Sequence, residues 1–167
     1  MVDYGYTRIS KKKQNIERQI RNIKQHFPAA IIIQEAYTGT KINRKEWNKL
    51  FKIVKAGDRI IFDSVSRMSR NAEEGYAAYE ALYNRGVDLV FLKEPHINTE
   101  TFKRVLANAI PLTGTNVDYI LEGINQYLLA LAKEQIRIAF DQAEKEVTDL
   151  HQRTREGIET ARLNGKQ

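Results

Sequence analysis

A chain of 167 residues with 42% hydrophobic content and a formal charge of +6 holds enough apolar material for one packed domain with an appendage, which excludes a disordered polyelectrolyte. It has no cysteine, so disulfide staples and thiolate metal sites are excluded, and His26, His96 and His151 fall in no ligand spacing. No apolar run approaches the roughly 20 residues of a membrane-spanning helix and no secretory signal opens the sequence, so a reducing cytoplasm is the expected compartment.

Residues 2–9 alternate apolar and polar side chains and are rich in tyrosine, which predicts a strand. Ser10 is placed to cap a helix on which Ile16, Ile20, Ile23 and Phe27 recur at helical spacing. Ala29 to Ile33 follows Pro28 as a short apolar run and predicts a buried strand. A polar loop runs to Asn43. Trp47, Leu50, Phe51 and Val54 then mark one helix face, closed by Gly57. Ile60 to Phe62 is the next strand, Tyr76, Tyr79, Leu82 and Tyr83 mark a helix ending at Gly86, and Val87 to Leu92 is a fourth strand. This alternation predicts an α/β fold: a mostly parallel sheet of four to five strands with helices on both faces.

Beyond residue 98 the pattern changes. Residues 99–110 read as a short helix stopped by Pro111, and Val117, Ile120, Leu121, Ile124, Tyr127, Leu128 and Leu131 form an apolar stripe at helical spacing. Past Ala132 the stripe thins into seven basic and seven acidic residues. A single helix over 116–164 would extend about 70 Å, against a width of roughly 30 Å for the preceding domain. Its first half is expected to bury the stripe partly against another subunit, and its second half to project. The expected division is 1–112 for the α/β domain and 113–167 for the long helix.

Ligands of such sheets gather beyond the carboxyl ends of the strands. Three motifs fall there: Arg8-Ile9-Ser10, the loop from Thr38 through Gly39 to Arg44, and Ser66-Arg67-Met68-Ser69-Arg70. Four guanidiniums around one hydroxyl suit a phosphate ester, because the planar arginine fork pairs with phosphate oxygens and never loses its charge. A serine between strand and helix is by itself usually a cap. Arg8, two residues back on the same strand face, and the surrounding arginines point to a nucleophile activated by positive charge. No base is visible nearby. Arg67 and Arg70, three apart, would share one side of a helical turn. Glu35, Asp58 and Asp63 are assigned to salt bridges that orient the arginines, and Trp47 and the tyrosines to the core. Basic charge is concentrated with these motifs: residues 1–27 and 41–59 each carry seven Lys/Arg against two Asp/Glu. Such a face attracts a polyanion, nucleic acid being the commonest.

Tyr6-x-Arg8-x-Ser10 with Gln14 following, Gly39 with Arg44, and Arg67-x-x-Arg70 resemble the resolvase/invertase family of serine site-specific recombinases. The stretch Asp149 to Ile158 also resembles the family's long-helix motif. The resemblance implies that Ser10 attacks a DNA phosphodiester to give a 5′-phosphoserine link and a free 3′-hydroxyl, with Arg8, Arg44, Arg67 and Arg70 holding the phosphate and Gln14 nearby. It implies rejoining without ATP, metal or other cofactor, double-stranded DNA as partner, a homodimer that pairs into a tetramer, and a long helix that carries the dimer contact and crosses the minor groove. The sequence departs from the pattern at Ser66, where the family has aspartate, at Gln152, where glutamate is common, and in a longer 103–130 segment. The small resolvases continue into a helix-turn-helix domain, whereas this sequence stops at Gln167. It therefore reads as a catalytic piece or as a chain lacking a DNA-reading module. The alternative reading is a non-catalytic, dimeric DNA-binding relative, favoured by Ser66 and opposed by the intact serine and arginines.

Overall fold

The structure is a computed structural model, and it describes residues 1–8, 13–35, 44–69 and 71–165, with the side chains of 13–15 and 147–151 outside that description. Four strands are present among the described residues: β1 (Asp3–Arg8), β2 (Ile31–Glu35), β3 (Arg59–Phe62) and β4 (Asp88–Phe91). They pair in the order β2-β1-β3-β4, all parallel, with Arg8 beside Glu35 and Tyr6 beside both Ile33 and Phe62. The expected alternation of strand and helix is therefore the one observed.

Successive strand residues face opposite sides of the sheet, and the two sides carry different cores. On one, α1 (Lys13–His26) covers Ile61 with Ile23, aided by Phe27 and Ile32. It packs close because β1 has Gly5 there: a Cβ at that position would lie 2.8 Å from the Ile32 side chain and 2.9 Å from Ile23. The other side is larger and aromatic. Tyr6, Ile60, Phe62, Leu89 and Phe91 meet α2 (Lys45–Ile53), α3 (Val65–Met68), α4 (Ala72–Asn84) and α5 (Thr99–Ala107) through Trp47, Leu50, Met68, Tyr79, Leu82 and Phe102. The rings of Tyr6, Trp47, Phe62 and Phe91 form a chain of contacts with centroids 5.1–5.9 Å apart, a spacing at which aromatic pairs add to simple area burial. Trp47 and Tyr6 are core residues, as expected, but Tyr119 and Tyr127 are 80% and 65% exposed.

The last element, α6 (Asp118–Leu163), is one unbroken helix of 46 residues. Over its first half, Val117, Ile120 and Tyr127 of the stripe are more than half exposed in the single chain. The middle differs. Ile136, Ala139, Phe140 and Ala143, beyond the point where the sequence stripe thins, are buried in the aromatic core. The contact works because Gly75 on α4 leaves a notch: a Cβ there would stand 2.5 Å from Phe140 Cδ1. Glu144, one turn further on, accepts the amide of Ala72 at the start of α4 (3.2 Å), where a carboxylate complements the helix dipole.

The three carboxylates assigned to arginine salt bridges do other work. Asp63 accepts from Asn22 Nδ2 (2.9 Å) and pairs with Lys93 Nζ (3.2 Å), and Glu35 serves α2, as described below. Asp58 accepts the amides of Lys55 and Val2, each at 2.9 Å, tying the turn before β3 to the start of β1. The Lys55 amide first, and then that of Val2, hold its carboxyl below the usual aspartate value. The stabilisation that results is therefore complete at neutral pH and is lost as pH falls through the depressed folded value. Asp58→Asn should lower Tm by a few degrees at pH 7, and the gap should close toward pH 2.5. A thermal denaturation series across that range measures it, and a gap independent of pH would contradict the assignment.

Candidate functional site

The carboxyl ends of β1 and β3 and the entrance of α2 meet at one turn, α3. Arg8, the last residue of β1 and only 4% exposed, donates from Nη2 to the Ser66 carbonyl at 2.6 Å. Arg44, immediately before α2, donates from Nη2 to the Met68 carbonyl. Arg67 lies on the same turn, between those two acceptors. A one-turn helix has carbonyls without intrahelical partners at its end, and here they receive the guanidiniums of two separate elements. Three of the four arginines singled out in the sequence are thus gathered at α3. Ser10 and Arg70 lie outside the described residues, as do the loop 36–43 and the side chain of Gln14. The expectation that Arg67 and Arg70 share a helical turn is corrected: α3 ends at Met68, and Ser69 is extended (φ −155°, ψ 149°).

Buried polar side chains fix the backbone at Arg8 and just after Arg44. Gln19 on α1, 1% exposed, makes a two-way clamp on the Arg8 backbone, accepting its amide at 3.2 Å and donating to its carbonyl at 3.1 Å. That clamp fixes the end of β1 two residues before Ser10. Sequence reasoning missed Gln19. The available signal was its place on the buried face of α1 with Ile16 and Ile23, where a polar residue needs a partner.

Arg44 occupies the N-cap position of α2 but cannot cap it, having no acceptor, and it makes no cap hydrogen bond. The amides that a cap side chain ordinarily takes belong to Glu46 and Trp47. Both are taken instead by Glu35 from the end of β2, at 3.1 and 2.8 Å. Glu35 is 2% exposed and also accepts the Tyr6 hydroxyl at 2.9 Å. The Arg44 guanidinium lies 4.8 Å from the Trp47 ring centroid and 5.9 Å from that of Tyr6, within the range of cation–π attraction. Burial pushes the Tyr6 phenol up to about 12, a shift that Arg44 opposes and Glu35 adds to. It therefore stays protonated and acts as a donor to Glu35. Arg44 Nε is buried without a hydrogen-bond partner among the described residues.

Ser66 stands where an acidic residue was expected from the resemblance. Its hydroxyl pairs with that of Ser64 at 2.8 Å while its carbonyl serves Arg8. No group of three or more potential metal-ligating side chains occurs among the described residues, and no described helix is long and apolar enough to cross a membrane.

Comparison with known proteins places this geometry in a family. The profile of the Resolvase, N terminal domain matches residues 4–113. A resolvase of Clostridium perfringens is 24% identical over 163 residues, covering 97% of this chain and 72% of that protein. The transposon Tn917 resolvase of Enterococcus faecalis is 26% identical over 132 residues, covering 76% and 69%, and the Tn501 resolvase of Pseudomonas aeruginosa is 30% identical over 90 residues, covering 54% and 46%. In three dimensions the chain is similar to a resolvase family site-specific recombinase from Streptococcus pneumoniae, with a TM-score of 0.50, 21% identity, and coverage of 97% of this chain and 99% of that one, which speaks for the shared fold. The chain belongs to the resolvase family of serine site-specific recombinases.

Proposed function

We propose that this recombinase cleaves and rejoins double-stranded DNA through a covalent link to Ser10. The Ser10 hydroxyl oxygen attacks the phosphorus of a backbone phosphodiester, the bond to the 3′-oxygen breaks, and that oxygen leaves as a hydroxyl after taking up a proton. The product is a 5′-phosphoserine. Reversal by a 3′-hydroxyl from another strand rejoins the DNA, and because one phosphate ester replaces another, the sequence of steps needs no ATP; in this reading the guanidiniums supply the charge that a metal would otherwise bring. Arg8, Arg44, Arg67 and Arg70 pair with the non-bridging oxygens and stabilise the charge that builds on them in the transition state, with Gln14 beside them. The observation that carries this reading is the convergence of Arg8 and Arg44 on the turn that bears Arg67.

Residues 1–112 are the catalytic domain in this reading, and 113–167 the helix for dimer and DNA contact. The exposed Val117, Ile120 and Tyr127 supply the apolar seam against a second copy, and two dimers on paired half-sites make the tetramer in which strands exchange. The protein would act where its DNA lies, in the cytoplasm at the nucleoid. Ser66 favours a second reading, a dimeric DNA-binding relative that does no chemistry. Incubation with a nicked suicide substrate, followed by a denaturing gel, separates the two: the enzyme gives a protease-sensitive retarded band, and a binding module gives none.

A further inference from the structure

The turn that collects the arginines is itself held by a carboxylate from another strand end. We infer that Glu94, just beyond β4, is a positioning residue for strand cleavage: it fixes α3, and through the carbonyls of that turn it sets where Arg8 and Arg44 stand; this rests on the function proposed above.

A four-residue helix does not hold its own shape, because a first turn orders several residues for one hydrogen bond. Its surroundings must hold it. Val65 and Met68, 1% and 0% exposed, root α3 in the aromatic core, but apolar packing leaves its opening amides unsatisfied. Ser64 stands at the N-cap and makes no cap hydrogen bond. Its hydroxyl is engaged with that of Ser66 at 2.8 Å. The first amide of the turn, that of Val65, goes instead to Glu94 Oε2 at 3.0 Å. The acceptors of Arg8 and Arg44, the Ser66 and Met68 carbonyls, lie one and three residues further on. With so little chain in between, a shift at Val65 reaches both guanidiniums.

Glu94 is also a firm reference. The β3–β4 pairing runs on past the strands: the Leu92 amide donates to the Phe62 carbonyl at 3.0 Å, and the Lys93 amide to that of Asp63 at 3.1 Å. Lys93 Nζ adds an ion pair to Asp63 at 3.2 Å. After Glu94 comes the 3-10 turn Pro95–Ile97, in which the Ile97 amide donates to the Glu94 carbonyl at 3.1 Å. The Ile97 carbonyl in turn accepts the Tyr79 hydroxyl at 2.7 Å. Burial pushes the Glu94 carboxyl above its usual value, and the Val65 amide leads the groups that oppose this. Since the charged form is disfavoured in this seat, what α3 draws from Glu94 is an acceptor of the right reach.

Three variants separate reach from charge. Glu94→Gln keeps the reach and one acceptor oxygen and loses the charge. Glu94→Asp keeps the charge and withdraws the acceptor by one methylene, and Glu94→Leu removes the acceptor. Single-turnover adduct formation on the suicide substrate should slow by about 10–100-fold in Glu94→Asp and Glu94→Leu, the cost of a small misplacement of catalytic groups. It should stay within about threefold of the parent in Glu94→Gln, whose amide oxygen still accepts. The Kd for DNA should stay within about threefold of the parent in all three, since bulk phosphate contacts are untouched. A cap that served stability alone would lower Tm and leave the rate of the folded protein unchanged. Rates are therefore compared at a temperature where the emission of Trp47, the sole tryptophan, shows each variant folded; Glu94→Asp carries the test if the leucine variant does not fold. A parent rate in Glu94→Asp and Glu94→Leu, a Glu94→Gln protein as slow as Glu94→Asp, or a DNA affinity that falls in step with the rate would overturn the inference while leaving the proposed function standing. A parent protein that forms no adduct overturns both.

Discussion

Ser10→Ala is expected to abolish covalent adduct formation, a loss on the order of 10⁴-fold or more, with DNA binding and Tm close to those of the parent. The magnitude follows from losing the nucleophile itself rather than a group that assists it. It also depends on whether a neighbouring hydroxyl can step in, and the described ones are engaged. Thr7 is fully buried and donates to the Ile33 carbonyl at 3.1 Å. Ser69 Oγ donates to the Asn71 carbonyl at 2.8 Å. The Ser64 and Ser66 hydroxyls are paired with each other. Of these, Ser66 is half-buried and on the turn that receives Arg8. A Ser10→Ala protein that still gives a retarded band on a denaturing gel would therefore move the nucleophile to Ser66, which a Ser66→Ala variant would then silence.

The parts of this site that the sequence made legible are those set by local pattern. β1 shows as a tyrosine-rich alternation and β3 as an apolar run, and the arginines stand at or beyond their ends, where a parallel sheet collects ligands. Arg8, Arg44 and Arg67 could be picked out because chain order and strand polarity alone bring them to one edge. What escaped was held by contacts far apart in sequence. Glu35 caps a helix that begins ten residues later, and a carboxylate at a strand end gives no sign of which amides it will accept. Gln19 reaches back across 11 residues to Arg8. The assignment of acidic residues to arginine salt bridges failed for a physical reason: two of those arginines are served by backbone carbonyls of α3, and the carboxylates serve amides, a phenol and a lysine. Ser66 fits that arrangement. A turn whose carbonyls hold the guanidiniums has less need of an acidic side chain at that position than the family pattern implies.

The long helix was legible in its extent but not in its attachment. A charge-rich segment hides four apolar residues, Ile136, Ala139, Phe140 and Ala143, spaced to place one face on the domain. The expectation that the second half projects is thus revised at its start: Ile136 to Ala143 are part of the domain core. This gives the helix a fixed point next to the arginine-bearing segment, since Glu144 and Phe140 touch α4 at Ala72 and Gly75, just beyond Arg70 in the chain.

Phe140→Ala should be the most destabilising single substitution in α6, costing about 3–5 kcal/mol, the range for truncating a buried phenylalanine whose surroundings cannot collapse. The ring is 1% exposed and meets Phe91 and Tyr79 edge-on at 6.3 and 6.5 Å. Its seat cannot shrink to follow the loss, because Gly75 opposite has no side chain to move into the space. Set against a typical domain stability of about 5–15 kcal/mol, that loss is a large fraction of the whole. Urea denaturation followed by far-UV circular dichroism measures it as a drop in the midpoint with little change in slope. Removing residues 116–167 altogether would delete all four docking residues, so the shortened chain would expose Phe91 and Tyr79 and be less stable than Phe140→Ala. A cut after residue 146 would keep the seat filled and the domain folded. A cost below about 1 kcal/mol for Phe140→Ala would mean that α6 is an appendage after all, and that its hold on the arginine segment is nominal.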